Sequence, residues 1–142
     1  MRDWKRFLRA MRHIEENLCG PLTVRDISSA AFYSEFHFAR MFRAVVGQSI
    51  MSYVQQRRLA SAAGRLRAGG RILDVSLDHQ FGSQEAFTRS FKRAFGITPR
   101  RYSRLDRPSP YPFRPPFSTS ELLGGKVMEP EIRSRDAFSI VG

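Results

Sequence analysis

The sequence predicts an all-α fold. Seven helices form two helix-turn-helix units joined by a long central helix, and an irregular Pro-containing C-terminal tail follows. Three observations carry this reading. Apolar residues recur at helical spacing through most of residues 1–106. Gly, Pro and Ser/Thr positions punctuate that periodicity as stops and caps. One phrase also occurs twice, as YSEFHFARMFR at 33–43 and GSQEAFTRSFKR at 82–93.

The first helix spans about 3–18. Trp4, Phe7, Leu8, Met11, Ile14 and Leu18 lie at helical spacing, and Gly20-Pro21 ends the segment. A basic amphipathic start could also be a targeting peptide or a membrane-surface helix. Glu15 and Glu16 close the segment and no cleavage-like site follows, so a helix packed on a core is the better reading. Thr23 has the chemistry of an N-cap, and Asp26 three residues on completes a short capping box. Val24, Ile27 and Ala31 share one face of that helix. Phe32-Tyr33 breaks it and Ser34 caps the next. There Phe38, Met41, Phe42 and Val45 follow at i, i+3, i+4, i+7, a stripe that a core would bury, and Gly47 ends the helix. Ser49 caps a long helix of about 50–68. Its core-facing residues are Ile50, Tyr53, Val54, Leu59 and Leu66, and Gly69-Gly70 stops it.

Then the pattern restarts. Ile72, Asp74, Val75 and Ser76 match Val24, Asp26, Ile27 and Ser28 at an offset of 48. Ser83, Phe87, Arg89, Phe91, Gly96 and Tyr102 match Ser34, Phe38, Arg40, Phe42, Gly47 and Tyr53 at an offset of 49, Gly82 being the extra residue. Thr98-Pro99 supplies a cap and a first-position proline for a last short helix to about Arg104. The units therefore cover about 23–46 and 72–95 within a domain of 1–106, and 107–142 forms a linker and tail.

The chain has 142 residues and a net charge of +11, so an anionic partner is expected. Residues 1–107 hold 20 Lys and Arg against 9 Asp and Glu, and residues 108–142 hold 4 against 4. The whole excess lies on the helical part. Cys19 is the single cysteine, which forbids an intramolecular disulfide and suits a reducing cytoplasm. No apolar run approaches the ~20 residues of a membrane span, so no membrane partner is expected.

In each unit a helix of about 8 residues meets one of about 12, the shape of a helix-turn-helix. The wet face of the first long partner holds Glu35, Phe36, Ala39, Arg40 and Arg43. That of the second holds Gln84, Glu85, Thr88, Arg89 and Lys92. Arg and Gln are the types that read base edges bidentately. Arg43, Lys92 and Arg93 are of the type that meets phosphates, with Ser34, Ser83 and Thr88 as further candidates. Amphipathic helices usually have charged outsides, so one such face means little. Its repetition, with a strut of ~28 Å between the copies, means more. Side-chain thickness brings two such helices near the ~34 Å between successive major grooves on one DNA face.

These residues resemble the DNA-binding domain of the AraC/XylS family of bacterial transcription regulators over about residues 4–105. The phrase FGSQEAFTRSFKRAFGITPRRY carries the likeness most specifically. The resemblance implies seven helices, a long fourth helix bridging two reading units, and sequence-specific binding to double-stranded promoter DNA. It implies base reading by Phe36, Ala39 and Arg40 in the first unit and by Gln84, Glu85 and Arg89 in the second. Where small single-domain members have Trp and Gln, this chain has Phe36 and Ala39, so first-site preference should differ. Where the family often has Gly in the turn, this chain has Phe32 and Gln80, which implies a strained or differently shaped turn. The stretches PFRPPF at 112–117 and MEPEIRSRDAFSIVG at 128–142 resemble the linker and first strand of the gyrase-inhibitor-like effector domain in the Rob-like branch. Residues 107–142 are then the truncated start of a ligand-binding domain, expected to add little to DNA affinity. RNA polymerase is a further partner of such activators, and the two unlike readers imply a monomer on an asymmetric site.

No enzyme is expected. His13, His37 and His79 have no metal-ligand spacing, and neither a metal nor a cofactor is predicted. Gly69-Gly70 is a helix stop, not a phosphate loop. AraC-type helices occur in an adaptive DNA-repair methyltransferase, but that chemistry needs several cysteines, and Cys19 is expected to be buried. A nonspecific or architectural nucleic-acid binder is the main alternative, since charge alone supports it. The strut gives a first test. One alanine inserted within Ala60–Gly64 should leave a helical protein, yet turn everything after it by ~100°. Specific DNA affinity should fall to the nonspecific level in a binding titration, and a folded insertion variant with full affinity would show that a single unit reads DNA.

Overall fold

The computed structural model describes residues 2–106 and 113–117. Its helices are α1 (Arg2–Glu16), α2 (Val24–Ala30), α3 (Glu35–Val46), α4 (Ile50–Arg67), α5 (Ile72–Asp78), α6 (Gln84–Phe95) and α7 (Pro99–Ser103). The described residues contain no strand. The seven expected helices are present. The first ends at Glu16, two residues earlier than its periodicity suggests, and Leu18 is buried from the turn that follows. The chain divides into two compact units.

In the first unit the core is aromatic. The Phe7 ring of α1 lies 5.7 Å from Phe38 and 6.0 Å from Phe42, the two fully buried residues of α3. Tyr53, early in α4, meets Phe42 edge-on at 5.6 Å. Each such pair contributes about 0.5–1.5 kcal/mol beyond the area it removes from water. Ile14, Ile27 and Val54 are fully buried beside them. The caps sit where the sequence puts them. Thr23 Oγ1 accepts from the Asp26 amide and the Asp26 carboxylate accepts from the Thr23 amide, which closes the capping box. Gly47 ends α3 at φ 87°, a left-handed angle that glycine takes without strain.

In the second unit Phe87 and Phe91 of α6 take the places of Phe38 and Phe42. They pack with Leu59, Ala62, Ala63, Leu66, Val75, Phe81 and Tyr102. The 18 residues of α4 make a helix ~27 Å long. It ends in a Schellman turn, with Gly69 N–H donating to Leu66 O and Gly70 N–H to Arg65 O. Thr98 caps α7 and Pro99 is its first residue.

The two helix-turn-helix turns are built alike. Phe32 (φ 62°) and Gln80 (φ 69°) both adopt the left-handed conformation, so of the two expected outcomes the strained turn is the one found. The next amide reaches back in each case, Tyr33 N–H to Ser28 O and Phe81 N–H to Ser76 O, both at 3.0 Å. Ser28 and Ser76 are buried, and each hydroxyl donates to the carbonyl three residues earlier. Side chains hold the turns as well. Arg6 donates to the Ala31 and Phe32 carbonyls, and Gln80 Nε2 donates to Cys19 O.

Of the tail, only 113–117 is described, and this part is packed on helices. Phe117 is buried, its N–H donating to Tyr53 Oη at 2.8 Å. Phe113 lies 4.5 Å from Phe95. The expected effector-domain start at 128–142 lies outside the described residues.

Two glycines predict opposite outcomes. A Cβ at Gly70 would meet Val75 Cγ2 at 2.8 Å and Arg65 O at 2.9 Å, whereas one at Gly64 meets nothing within 4 Å. Gly70→Ala should destabilise the chain by about 1–3 kcal/mol. Gly64→Ala, inside α4, should stabilise it by about 0.5–1 kcal/mol. Thermal melts of the two variants should move in opposite directions.

Candidate nucleic-acid interface

Each helix-turn-helix presents the outer face of its second helix. In α3, Ser34 Oγ accepts from the His37 amide at 3.1 Å and fixes where the helix starts. The buried pair Phe38 and Phe42 then sets its rotation. Glu35, Phe36, Ala39, Arg40 and Arg43 are all exposed, so the structure brings the expected residues of the first reader onto one open surface. Phe36 is 72% exposed, the most exposed large apolar side chain described. The Arg40 guanidinium carbon lies 5.5 Å from the Phe36 ring centroid. Glu35 is held by Arg25 of α2 at 3.1 Å, which neutralises the one acid on this face. Behind the face, Tyr33 stacks on Phe38, and Arg6 lies 3.9 Å from the Tyr33 ring centroid.

In α6 the cap is Ser83, whose Oγ accepts from the Ala86 amide at 3.1 Å. Phe87 and Phe91 are buried. Glu85, Arg89, Lys92 and Arg93 are exposed, and Gln84 and Thr88 are half-buried. Lys92 and Arg93 fall in the last turn of the helix. Ser34 and Ser83 both use an oxygen lone pair as a cap, and each hydroxyl keeps its proton to donate outward. The two faces differ in chemistry. The first offers an aromatic ring, a methyl and two guanidiniums, and the second an amide, a carboxylate and three cations.

Among the described residues no three His, Cys, Asp or Glu side chains gather as a metal site would need, and no helix is long and apolar enough to cross a membrane. His37 is exposed beside the first face and meets the Tyr33 ring edge-on at 5.1 Å. Cys19, expected to be buried, is exposed. It follows the shortened first helix in a turn, where only Leu18 points inward.

Three buried polar residues of the second unit escaped the apolar pattern: Arg57, Arg58 and His79. Arg58 donates to the carbonyls of Leu18 at 3.0 Å and Gly20 at 2.7 Å, and desolvation by burial lowers its pKa. The available signal was its register. Arg58 stands four residues after Val54 and four before Ala62, on the buried stripe. His79 donates from Nδ1 to Val75 O at 2.9 Å, which leaves Nε2 to accept from Ser61 Oγ at 3.0 Å.

A helix-turn-helix domain family matches residues 27–105, more than half of the chain. The chain is 40% identical over 110 residues to the transcriptional regulator Rob of Salmonella typhimurium, an alignment covering 77% of this chain and 38% of Rob. It is 39% identical over 90 residues to the regulatory protein SoxS of Escherichia coli, covering 63% of this chain and 84% of SoxS. The chain belongs to the AraC/XylS family. Its fold is also that of the DNA-binding domain of the global transcriptional factor AdpA, solved with a target DNA (TM-score 0.64, 22% identity, 68% of this chain and 88% of that one). The chain spans about two fifths of the length of Rob and most of that of SoxS.

Burial of His79 has a pH consequence. Desolvation, the largest influence, pushes its pKa below the ordinary 6.5, while the hydrogen bond to Val75 O opposes the shift. The folded state thus favours the neutral ring. Its stabilising contribution is complete above the unfolded pKa and declines as pH falls from there towards the lower folded value. Urea unfolding at pH values from about 7.5 to about 5.5 should show stability falling below about 6.5, and His79→Asn should flatten that part of the curve.

Proposed function

We propose that this chain is a sequence-specific DNA-binding transcription regulator that reads two successive major-groove segments of double-stranded promoter DNA. The helices at 34–46 and 83–95 are its readers. One observation carries the reading: two helices capped by Ser34 and Ser83, each rotated by a buried Phe pair, hold Arg40 and Arg89 at matching exposed positions. Phe36, Ala39 and Arg40 meet base edges in the first segment, and Gln84, Glu85 and Arg89 do so in the second. Arg pairs bidentately with guanine and Gln with adenine, Glu accepts from cytosine N4, and apolar groups meet the thymine methyl. Ser34, Arg43, Ser83, Thr88, Lys92 and Arg93 contact phosphates and set the register. The +11 charge supplies the sequence-independent part of the affinity. AdpA's domain on its target DNA and the regulators Rob and SoxS support the same assignment.

The two faces are chemically unlike, so the chain binds as a monomer to a site without two-fold symmetry. RNA polymerase is its proposed protein partner at the promoter, and the bacterial cytoplasm its place of work. Selection of bound sequences from random duplex DNA with the purified chain tests the reading. A selected site should be preferred to random DNA by about a thousandfold or more at physiological salt. A preference of less than about tenfold would favour a nonspecific binder.

The roles of two neighbouring cations can then be separated. Arg89→Ala should cost about 1–3 kcal/mol on the best site and relax preference at one base pair. Lys92→Ala should weaken all sequences alike and flatten the salt dependence. Binding titrations of both variants on matched and mutated sites decide it. An identical, sequence-independent loss in both would make Arg89 a phosphate contact.

A further inference from the structure

Residues 113–117 belong to the segment that the sequence reads as linker, yet each described aromatic in it closes the core behind a reading helix. In the second unit, α6 buries Phe87 and Phe91, and the next residue on that ridge, Phe95, is half-buried. Phe113 packs on it. Its ring stands edge-on to Phe95 at 4.5 Å and to Tyr102 at 5.7 Å. Phe95 and Tyr102 in turn contact Phe91 at 4.9 and 5.5 Å, so four rings close into one cluster. The backbone is tied down beside it, with Arg57 of α4 donating to Arg114 O at 2.6 Å.

In the first unit Phe117 acts one layer further back, on α1 and α4. It is 7% exposed and lies edge-on to Phe7 at 5.4 Å. Its N–H donates to the hydroxyl of Tyr53, whose ring leans on Phe42 of α3. Phe7 itself touches both Phe38 and Phe42. Pro115 and Pro116 lie between the anchors. They favour an extended, stiff backbone and reduce the entropy lost on docking.

We infer that Phe113 and Phe117 are positioning residues for DNA reading: each helps fix, within its own unit, the rotation of the reading helix, Phe113 by packing on the ridge of α6 and Phe117 through Phe7 and Tyr53, which pack on the Phe pair of α3. This rests on the function proposed above. It also replaces the expectation that the tail adds little to affinity. A helix that rolls by a fraction of a turn on its Phe ridge carries every base-reading side chain with it, because those side chains stand on the opposite face of the same cylinder. Neither Phe is placed among the residues that meet DNA, so their effect must pass through the helices.

The test uses the full chain. Phe113→Ala should bind its selected site about tenfold more weakly, the scale of one lost base contact, with nonspecific affinity within about twofold of the parent. The relaxed preference should be confined to the half-site read by α6, and Phe117→Ala should relax only the half-site read by α3. Phe113→Leu, which keeps apolar volume, should recover most of the loss. It also serves as the reporter if the alanine variant does not fold. Hydrogen exchange gives an arm independent of DNA: α6 amides around Phe91–Phe95 should exchange faster in Phe113→Ala, with α3 unchanged. Parent-like exchange and site preference in the folded variants, or a loss spread evenly over both half-sites, would overturn the inference. A parent chain that shows no site preference, together with the expected exchange pattern, would instead remove the proposed function and leave the brace standing.

Discussion

The buried Phe pair, four residues apart, is the constraint on which each unit depends. Phe38 and Phe42 in α3, and Phe87 and Phe91 in α6, are fully buried. Residues four apart lie nearly above one another on a helix, so one such pair fixes rotation as well as position. Everything on the far side follows. With the pair inward, Phe36, Ala39 and Arg40 point outward, as do Glu85 and Arg89. Fully burying a Phe is worth about 1.5–3 kcal/mol. That exceeds what any single exposed contact on the opposite face contributes to folding, so the surface can change chemistry without moving the helix. The two units show this. Their buried Phe pairs match at an offset of 49, while their outer faces share little beyond Arg40 and Arg89.

A strained turn in front of each reading helix fits the same logic. A non-glycine residue in the left-handed region costs of order 1–3 kcal/mol. Phe32 and Gln80 both bear that cost. Each turn is held by two backbone hydrogen bonds and by a buried serine whose own carbonyl takes one of them. In the first unit the Arg6 guanidinium adds donors to the turn carbonyls. A glycine there would remove the strain, but it would also enlarge the conformational freedom of the unfolded chain. Neither side chain is hidden. Phe32 is 67% exposed, with Arg9 near its ring, so the turn is stabilised from its backbone and not by burying the residue that bends.

What the sequence made legible was local. The capping box at Thr23, the caps at Ser34, Ser83 and Thr98, and the glycine stops at 47, 69 and 96 each depend on neighbours within a turn or two, and all are present. The exposed faces were legible for the same reason, since a helix period fixed by Phe38 and Phe42 assigns every other position by arithmetic. What escaped was long-range and polar. Phe117 meets Tyr53 across 64 positions of sequence, and Arg57 meets Arg114 across 57. No local spacing announces such partners. A Pro-rich stretch reads as linker because proline removes donors and helical options, and that holds whether or not the stretch then docks.

The buried polar residues show why an apolar pattern understates a core. Arg58 occupies a stripe position between Val54 and Ala62, where leucine would satisfy the periodicity better. Its guanidinium instead satisfies the carbonyls of Leu18 and Gly20, where the chain leaves α1 and has no helical partner to offer them. Leaving those carbonyls buried and unpaired would cost about 1–3 kcal/mol each. Burying a charge is tolerated only with such partners, and the lowered pKa of Arg58 shows that desolvation is felt even so. A leucine at this position would pack, but it would leave the Leu18 and Gly20 carbonyls without their donors. The residue that breaks the hydrophobic pattern is therefore the one that satisfies the carbonyls on either side of Cys19.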